Sequence, residues 1–195
     1  MTGSASSDAS AAPRGHSDPR EHPSERFGIV SADDFKAAFR AHPGGVSVIT
    51  ADAGHGPVAL TATSVASVSA DPPLLVFSVS ALSSSAPTLT TAETVVVHLL
   101  DANDLALARL GATSGIDRFA DTSSWTRLVS GEPIFHGVPR WIRARVVNRF
   151  ESGGSTVIVA HAVQVNVPEE HEGRGLVYLN REWHHLGEHS RIENP

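Results

Sequence analysis

From residue 46 onward, apolar residues come in short runs and alternations that turn residues separate. The alternation with period two and the many β-branched residues predict strands, and the Gly, Asp and Asn between them predict hairpin turns. The predicted strands span 46–50, 58–68, 74–79, 94–100, 141–150, 156–167, 176–179 and 182–186. Their hairpins turn at 51–56, 151–154 and 180–181.

Helical patterns are short. They predict helices over 31–42, 84–91 and 104–110. In the first of these, Ser31 is the predicted N-cap, and Phe35, Ala38 and Phe39 share one face. The segment 111–133 is predicted as a loop. Because strands and helices do not alternate regularly, the predicted fold is mainly β, an antiparallel barrel with short peripheral helices.

Length and composition narrow the class of protein. The chain has 195 residues, which suits one domain. Its predicted organisation is a disordered tail over 1–26, a folded domain over 27–187 and a short tail over 188–195. The lack of cysteine excludes disulfides, a thiol nucleophile and a cysteine-ligated zinc site, and it fits a cytoplasmic location.

Charge and hydropathy exclude two further classes of partner. The net charge is −6, and no run of Lys and Arg interleaves with aromatic residues, which argues against nucleic-acid binding. No apolar run is long enough to cross a membrane.

The most informative stretch for function is nearly free of charge. Asp71 is the only Asp, Glu, Lys or Arg between Asp52 and Glu93, and hydroxyl side chains crowd the first half of this interval. These hydroxyls belong to Thr61, Thr63, Ser64, Ser67 and Ser69. A neutral surface rich in hydrogen-bonding groups suits a large, flat cofactor with polar edges. The alternative is that the hydroxyls satisfy strand backbones or face solvent.

Other motifs are absent or have simpler explanations. Neither G-x-G-x-x-G nor G-x-x-x-x-G-K occurs, so any nucleotide is held differently from the common phosphate-binding loops. His98 lies in an apolar strand, where a hydrogen-bonded structural role is the better interpretation. His184, His185 and His189 do not indicate a metal site, because adjacent histidines on a strand point to opposite faces.

The ordered pieces of the chain resemble the short-chain flavin reductases, FMN-binding split-barrel proteins that supply reduced flavin to two-component monooxygenases. The similarity covers about residues 35–186. Its most specific block is Thr61-Ala-Thr-Ser64 leading to Asp71-Pro-Pro73. The weaker pieces, in the expected order, are 39–50, 83–85, 97–100, 117–120 with Trp125, and 178–184.

The resemblance implies a fold, cofactors and a reaction. It implies a homodimeric, antiparallel split β-barrel that binds FMN or FAD near the subunit interface and uses NADH or NADPH as hydride donor. Hydride then passes from nicotinamide C4 to flavin N5, so the protein need only align the two rings. A monooxygenase is the implied recipient of reduced flavin.

The resemblance also implies site residues. The flavin ring is expected against Thr61, Ala62, Thr63, Ser64 and Ser67. The phosphate is expected at Ser83, Ser84, Ser85 and Arg118. The alternative is that the serines only form a loop and a helix cap, and that Arg118 is a surface residue paired with Asp117 or Asp121. His184 matches the histidine that the family carries beside flavin and nicotinamide, and a role in positioning the nicotinamide is expected for it. The alternative is a structural role in the carboxyl-terminal hairpin.

The chain departs from the family pattern around the expected phosphate position. The family usually has a basic or amide side chain just before the serines and Thr or Asn just after them, whereas this chain has Ala81, Leu82 and Ala86. Two alternatives therefore stay open beside a reductase of diffusible flavin. One is an oxidase or monooxygenase with permanently bound flavin, and the other is a flavin-binding module without catalytic activity.

Overall fold

The computed structural model describes residues 29–169 and 174–193. These residues divide into an amino-terminal unit that ends at Phe39 and a main unit that begins at Arg40. The tail predicted over 1–26 lies outside the described residues. Among the helices of the described residues, none is long and apolar enough to cross a membrane.

The first helix, α1 (Ala32–Arg40), lies in the amino-terminal unit except for its last residue. The Ser31 hydroxyl accepts a hydrogen bond from the Asp34 backbone N–H at 3.1 Å, which caps the helix as the sequence predicts. The rings of Phe35 and Phe39 lie one above the other, with centroids 4.8 Å apart, because residues four apart share a helix face.

The main unit is built on a seven-stranded sheet in which every pair of neighbouring strands is antiparallel. With strands numbered in chain order, its spatial order is β3 (Pro57–Ala62), β2 (Ser47–Asp52), β6 (Thr94–Leu99), β9 (Trp141–Ser152), β10 (Ser155–Asn166), β5 (Pro73–Ser80) and β4 (Ala66–Ala70).

The two edge strands of this sheet, β3 and β4, are consecutive in the chain. Ala62 ends β3 and Ala66 begins β4, so the connection spans at most about 14 Å. In a flat sheet of seven strands the two edges would lie about 29 Å apart. The sheet therefore curls so that its two edges come near each other, as in a barrel.

The described residues of the main unit also form two smaller sheets, two further helices and two 3-10 turns, the second of them over Glu188–Ser190. The three-stranded sheet has the order β1 (Gly44–Gly45), β11 (Leu176–Leu179) and β12 (Glu182–His185), and the two-stranded sheet pairs β7 (Trp125–Arg127) with β8 (Pro133–Phe135). The helices are α2 (Ala86–Leu89) and α3 (Leu105–Ala112), and a 3-10 turn over Ala102–Asp104 leads into α3.

The predicted fold class is confirmed as mainly β and antiparallel with short helices, but two element predictions are wrong. The strand predicted over 58–68 is two strands, because the chain passes from one sheet edge to the other at Thr63–Val65. The loop predicted over 111–133 contains β7, whose three residues are too few to show a pattern. The hairpin at Asn180 and Arg181 is confirmed, and both residues have positive φ, 52° and 66°.

Two apolar clusters fill the main unit. The larger lies among the strands of the seven-stranded sheet and includes Ile49, Phe77, Val97 and Ile158, each no more than 1% exposed. The second packs α3, β8 and the three-stranded sheet against the outer side of β2 and β3. Its members include Val48, Ala108, Phe119, Phe135 and Leu176.

Candidate functional site

The chain passes from one sheet edge to the other at Thr63–Val65, a segment called the crossing below, and hydroxyl residues lie in this crossing and at the start of β4. Thr63, Ser64 and Ser67 are exposed. The Ser64 hydroxyl accepts a hydrogen bond from the Ser78 backbone N–H at 3.0 Å, which ties the crossing to β5. A Cβ placed on Gly44 would lie 2.8 Å from Thr63 Cβ, so strand β1 approaches this crossing closely.

Two of the residues expected at the flavin ring turn inward instead. Thr61 is half-buried, and its hydroxyl donates to the Ala108 carbonyl of α3 at 2.7 Å. Ala62 belongs to the larger apolar cluster and is buried. The Thr61 hydroxyl proton and the Ala62 side chain are thus engaged within the fold, whereas Thr63, Ser64 and Ser67 present their side chains.

The three serines expected at the phosphate have different surroundings. Ser85 is 1% exposed, and its hydroxyl donates to the Ala59 carbonyl of β3 at 2.8 Å, which is a structural role. The Ser83 hydroxyl accepts from the Ser85 backbone N–H at 3.2 Å. Ser84 is exposed, and Arg118 lies beside it.

The guanidinium of Arg118 is held by neutral groups. Its Nη2 donates to the Thr113 carbonyl at 2.7 Å and its Nη1 to the Ser84 hydroxyl at 3.4 Å. The Nε atom is buried and has no hydrogen-bond partner in the described part of the chain. Among those same residues no carboxylate forms an ion pair with this arginine.

An unpaired, buried N–H beside an unneutralised cation fits a phosphate group. Arginine offers several N–H donors in a planar fork that matches phosphate oxygens, and the adjacent Ser84 hydroxyl adds a further donor. The structure thus brings together two of the residues expected there, Ser84 and Arg118. The residues at which this chain departs from the family pattern have apolar side chains and add no polar group here. Leu82 is 96% exposed and Ala86 is buried.

His184 lies on the three-stranded sheet. It is exposed on β12 and pairs in register with Val177 of β11. The neighbouring Trp183 points to the other face and packs on Tyr178, with ring centroids 4.7 Å apart. Strand β1 links this sheet to the crossing at Thr63–Val65. It pairs with β11 on one side, and its Gly44 lies close to Thr63 on the other.

His98 is a structural histidine, in agreement with its interpretation from the sequence. It is fully buried, and the Phe135 N–H donates to its Nε2 at 3.1 Å. Since Nε2 accepts, the ring proton is on Nδ1, which donates to the Val48 carbonyl at 3.0 Å. Burial lowers the pKa of His98 to about 4, although the bond to Val48 acts in the opposite direction.

The sequence did not reveal a polar cluster formed by Thr94, Ser130, Glu132 and Arg143. Glu132 is 4% exposed, and its carboxylate accepts from Arg143 Nε at 2.6 Å and from the hydroxyls of Ser130 and Thr94. Burial alone would raise the pKa of Glu132, but these hydrogen bonds lower it below its ordinary value. The residues come from three separate segments, so no local motif marks them.

A second ion pair lies beside this cluster. Asp52 Oδ2 accepts from Arg127 Nη2 at 2.6 Å, and its Oδ1 accepts from the backbone N–H groups of Gly54 and Gly56. Burial acts to raise the pKa of Asp52, but these partners lower it overall. Within the described residues, no group of three or more His, Asp or Glu side chains is placed to hold a metal ion.

Comparison with known proteins decides the family. Residues 39–187 match the model of the flavin reductase like domain. The chain belongs to this family. It is 42% identical over 153 residues to an NADH:FMN oxidoreductase of Rhodococcus qingshengii, covering 78% of this chain and 80% of the relative.

Two solved structures agree with this membership. A flavin reductase domain protein from Arthrobacter sp. FB24 superposes with a TM-score of 0.73 at 31% identity, covering 78% of this chain and 94% of that one. BorF, the flavin reductase component of a bacterial two-component tryptophan halogenase, superposes with a TM-score of 0.70 at 26% identity, covering 81% and 99%.

Proposed function

We propose that this protein is a flavin reductase that uses NADH or NADPH to reduce FMN or FAD. The family membership and the NADH:FMN oxidoreductase relative support the reaction. The structural observation that carries the proposal is the Arg118 guanidinium, whose Nε is buried without a partner in the described residues and whose two hydrogen-bond partners, Ser84 and Thr113, are uncharged. An anionic phosphate supplies the missing charge and acceptor atoms.

The residues that would hold the flavin form two groups. Ser84 and Arg118 would bind the phosphate, and the exposed side chains of Thr63, Ser64 and Ser67 would face the ring, with the backbone of Thr61 and Ala62 beside them. Hydroxyls can donate or accept, so they solvate the polar edge of the ring without adding charge. When bound, the flavin supplies the acceptor for a hydride from the nicotinamide.

The protein has little acid–base chemistry to perform in this reaction. A hydride carries its own electrons, so the residues at the crossing need only fix the distance and orientation of the two rings and exclude water between them. His184 is the residue proposed to orient the nicotinamide, because its sheet connects to Thr63 through β1.

The residues at the proposed phosphate position favour weak retention of the flavin, so that it exchanges with solution. Among the described residues, Arg118 is the cation that contacts Ser84, and Ala81, Leu82 and Ala86 provide no polar side chain. Few charged contacts mean weaker retention, which suits a flavin that leaves after reduction. BorF, to which this chain is similar, is the flavin reductase component of a two-component halogenase. This similarity supports delivery of reduced flavin to a separate enzyme, for which a monooxygenase is the proposed partner.

The function is tested by steady-state oxidation of NADH and of NADPH with FMN and with FAD added in turn. A colourless purified protein that oxidises a nicotinamide only when flavin is added is the expected result. A yellow protein that turns over without added flavin would favour the permanently bound alternative. A yellow protein that oxidises neither nicotinamide would favour the non-catalytic flavin-binding module.

Association of two copies and a cytoplasmic location are further parts of the proposal. Strands β9 and β10 expose apolar side chains that another surface would cover, including Val147 at 53%, Phe150 at 47% and Val165 at 59% exposure. A symmetric split-barrel dimer is expected by light scattering, and an active monomer at micromolar concentration would contradict it. The location rests on the lack of cysteine alone.

A further inference from the structure

Helix α3 lies directly against strand β3. The Thr61 hydroxyl donates to the Ala108 carbonyl at 2.7 Å. Three residues on, a Cβ placed on Gly111 would lie 2.3 Å from Thr61 Oγ1 and 3.1 Å from the Thr61 backbone nitrogen. A real Cβ does not approach that closely, so only glycine permits this position of the helix.

Gly111 is an unfavourable residue for the helix that contains it. Glycine within a helix loses more conformational freedom on folding than alanine, so alanine would ordinarily stabilise this turn. At Gly111 the close approach to Thr61 reverses that expectation. The sequence thus keeps α3 against β3 at a cost to the helix itself.

The carboxyl end of the same helix holds Arg118. Thr113 follows α3 directly, and its carbonyl accepts from Arg118 Nη2 at 2.7 Å. The other terminal nitrogen of this guanidinium reaches Ser84. Since an α-helix is rigid over so few residues, the position of α3 on β3 fixes where the guanidinium stands.

We propose that Thr61 and Gly111 are positioning residues that act through α3 to place the Arg118 guanidinium at the flavin phosphate. The proposal rests on the proposed function, because it assumes that Arg118 binds that phosphate. It assigns to the Thr61 hydroxyl a role away from the flavin ring, since its proton is used by Ala108. The consequence is selectivity for a flavin that carries a phosphate.

The test is titration of the intact chain with FMN and with riboflavin, which share the ring and differ in the phosphate. The readout is the ratio of the two dissociation constants, followed by quenching of flavin fluorescence. Thr61→Val removes the hydroxyl and keeps the shape, whereas Thr61→Ser keeps the hydroxyl. Gly111→Ala adds the clashing methyl, and Gly154→Ala adds one where nothing lies within 4 Å.

Thr61→Val and Gly111→Ala are expected to weaken FMN binding about tenfold and to leave riboflavin binding within about twofold. Thr61→Ser and Gly154→Ala are expected to match the wild type for both ligands. An equal loss of FMN and riboflavin in Thr61→Val would place this side chain at the ring and overturn the inference. An unchanged ratio in Thr61→Val would overturn it as well, even where Gly111→Ala does not fold.

Arg118→Ala separates failure of the inference from failure of the proposed phosphate position. If the wild type binds FMN no more tightly than riboflavin, or if Arg118→Ala leaves the ratio unchanged, the phosphate does not lie at Arg118 and both fail. If Arg118→Ala lowers the preference for FMN while Thr61→Val does not, the phosphate position stands and the positioning role alone is wrong.

Discussion

Arg118 and Arg143 are both partly buried, yet they stand in opposite electrostatic surroundings. Arg143 donates through Nε to the buried carboxylate of Glu132, which the hydroxyls of Ser130 and Thr94 also contact. Arg118 meets only the Thr113 carbonyl and the Ser84 hydroxyl, and its own Nε is left without a partner among the described residues. The first arginine is neutralised within the fold, and the second is not.

This difference is the reason to expect a structural role for Arg143 and a ligand-binding role for Arg118. Burying a charge costs free energy that a carboxylate partner offsets, as Glu132 does for Arg143. A cation held only by neutral oxygens keeps its attraction for an anion, and a buried N–H without an acceptor adds to it. Stability should therefore depend on Arg143, and flavin affinity should depend on Arg118.

The largest expected effect is on stability, from Arg143→Ala. This change leaves Glu132 charged and buried, and it should reduce the free energy of unfolding by about 3 kcal/mol. Denaturant unfolding followed by fluorescence measures it. FMN affinity of the folded variant should stay near that of the wild type.

Arg191→Ala is the matched control for this prediction. Arg191 pairs with Glu188 at 3.3 Å, but both side chains are highly exposed, at 76% and 91%. Such a surface pair contributes little, so stability should hardly change. Equal effects of Arg191→Ala and Arg143→Ala would show that the Glu132 cluster does not stabilise the fold.

The next effect is a dependence of stability on pH that comes from His98. Its pKa is lowered by burial to about 4, below the ordinary 6.5. As the pH falls below 6.5, the unfolded chain takes up the proton first, so stability is complete above 6.5 and is lost toward 4. The loss due to this one group is about 3 kcal/mol over that range.

His98→Asn isolates this contribution from those of the carboxylates. At pH 7 the wild type should be the more stable protein, because Phe135 and Val48 both bond to the ring. The stability difference between the two proteins should shrink by about 3 kcal/mol between pH 6.5 and 4. Parallel stability curves over this range would mean that His98 does not stay neutral in the folded protein.

The strands and hairpins were predictable because their signals are local. Asn180 and Arg181 adopt the positive φ values that a two-residue hairpin requires, and alternation marks the long strands on either side of Gly153. The interruption at Thr63–Val65 was not predictable, because the residues on both sides of it suit a strand. Strand β8 is held by Thr50 and His98, which come from distant parts of the chain.

In the candidate site, too, contacts between residues far apart in the chain could not be predicted from the sequence. The resemblance to a family placed Ser84 and Arg118 in one site, and the structure brings them together. It did not reveal that the Thr61 hydroxyl turns toward Ala108, because packing of α3 on β3 joins residues 47 positions apart. Nor could it reveal that Glu132 neutralises Arg143, since no short motif contains both.

Arg118→Ala tests the other half of the comparison, in which the expected change is in FMN affinity and not in stability. Loss of this charge-assisted contact should weaken FMN binding about ten- to a hundredfold, with a small change in the free energy of unfolding. Arg109→Ala, which removes an exposed cation from α3, is the control for general attraction of the anion. If both variants lose FMN affinity equally, the effect is the overall field of the protein rather than a contact at Arg118.

The smallest expected effect is that of His184→Ala, and it concerns the nicotinamide rather than the flavin. His184 is exposed on β12, so its loss should leave thermal stability nearly unchanged. If the ring orients the nicotinamide, hydride transfer should slow or the KM for NADH should rise by a few-fold, about 1 kcal/mol, while FMN affinity stays constant.

Stopped-flow reduction of FMN at several NADH concentrations separates the possible roles of His184. A proton-donating role would make the rate of the hydride step follow protonation of the ring, which an orienting role does not require, because the hydride needs no proton from the protein. A purely structural role would lower thermal stability with normal kinetics in the folded fraction. His184→Gln, which keeps a hydrogen-bonding side chain, should restore part of the lost rate if the ring orients the nicotinamide amide. An unchanged hydride step together with an unchanged affinity for NADH would remove His184 from the site, and the exposed face of β12 would then have no part in the reaction.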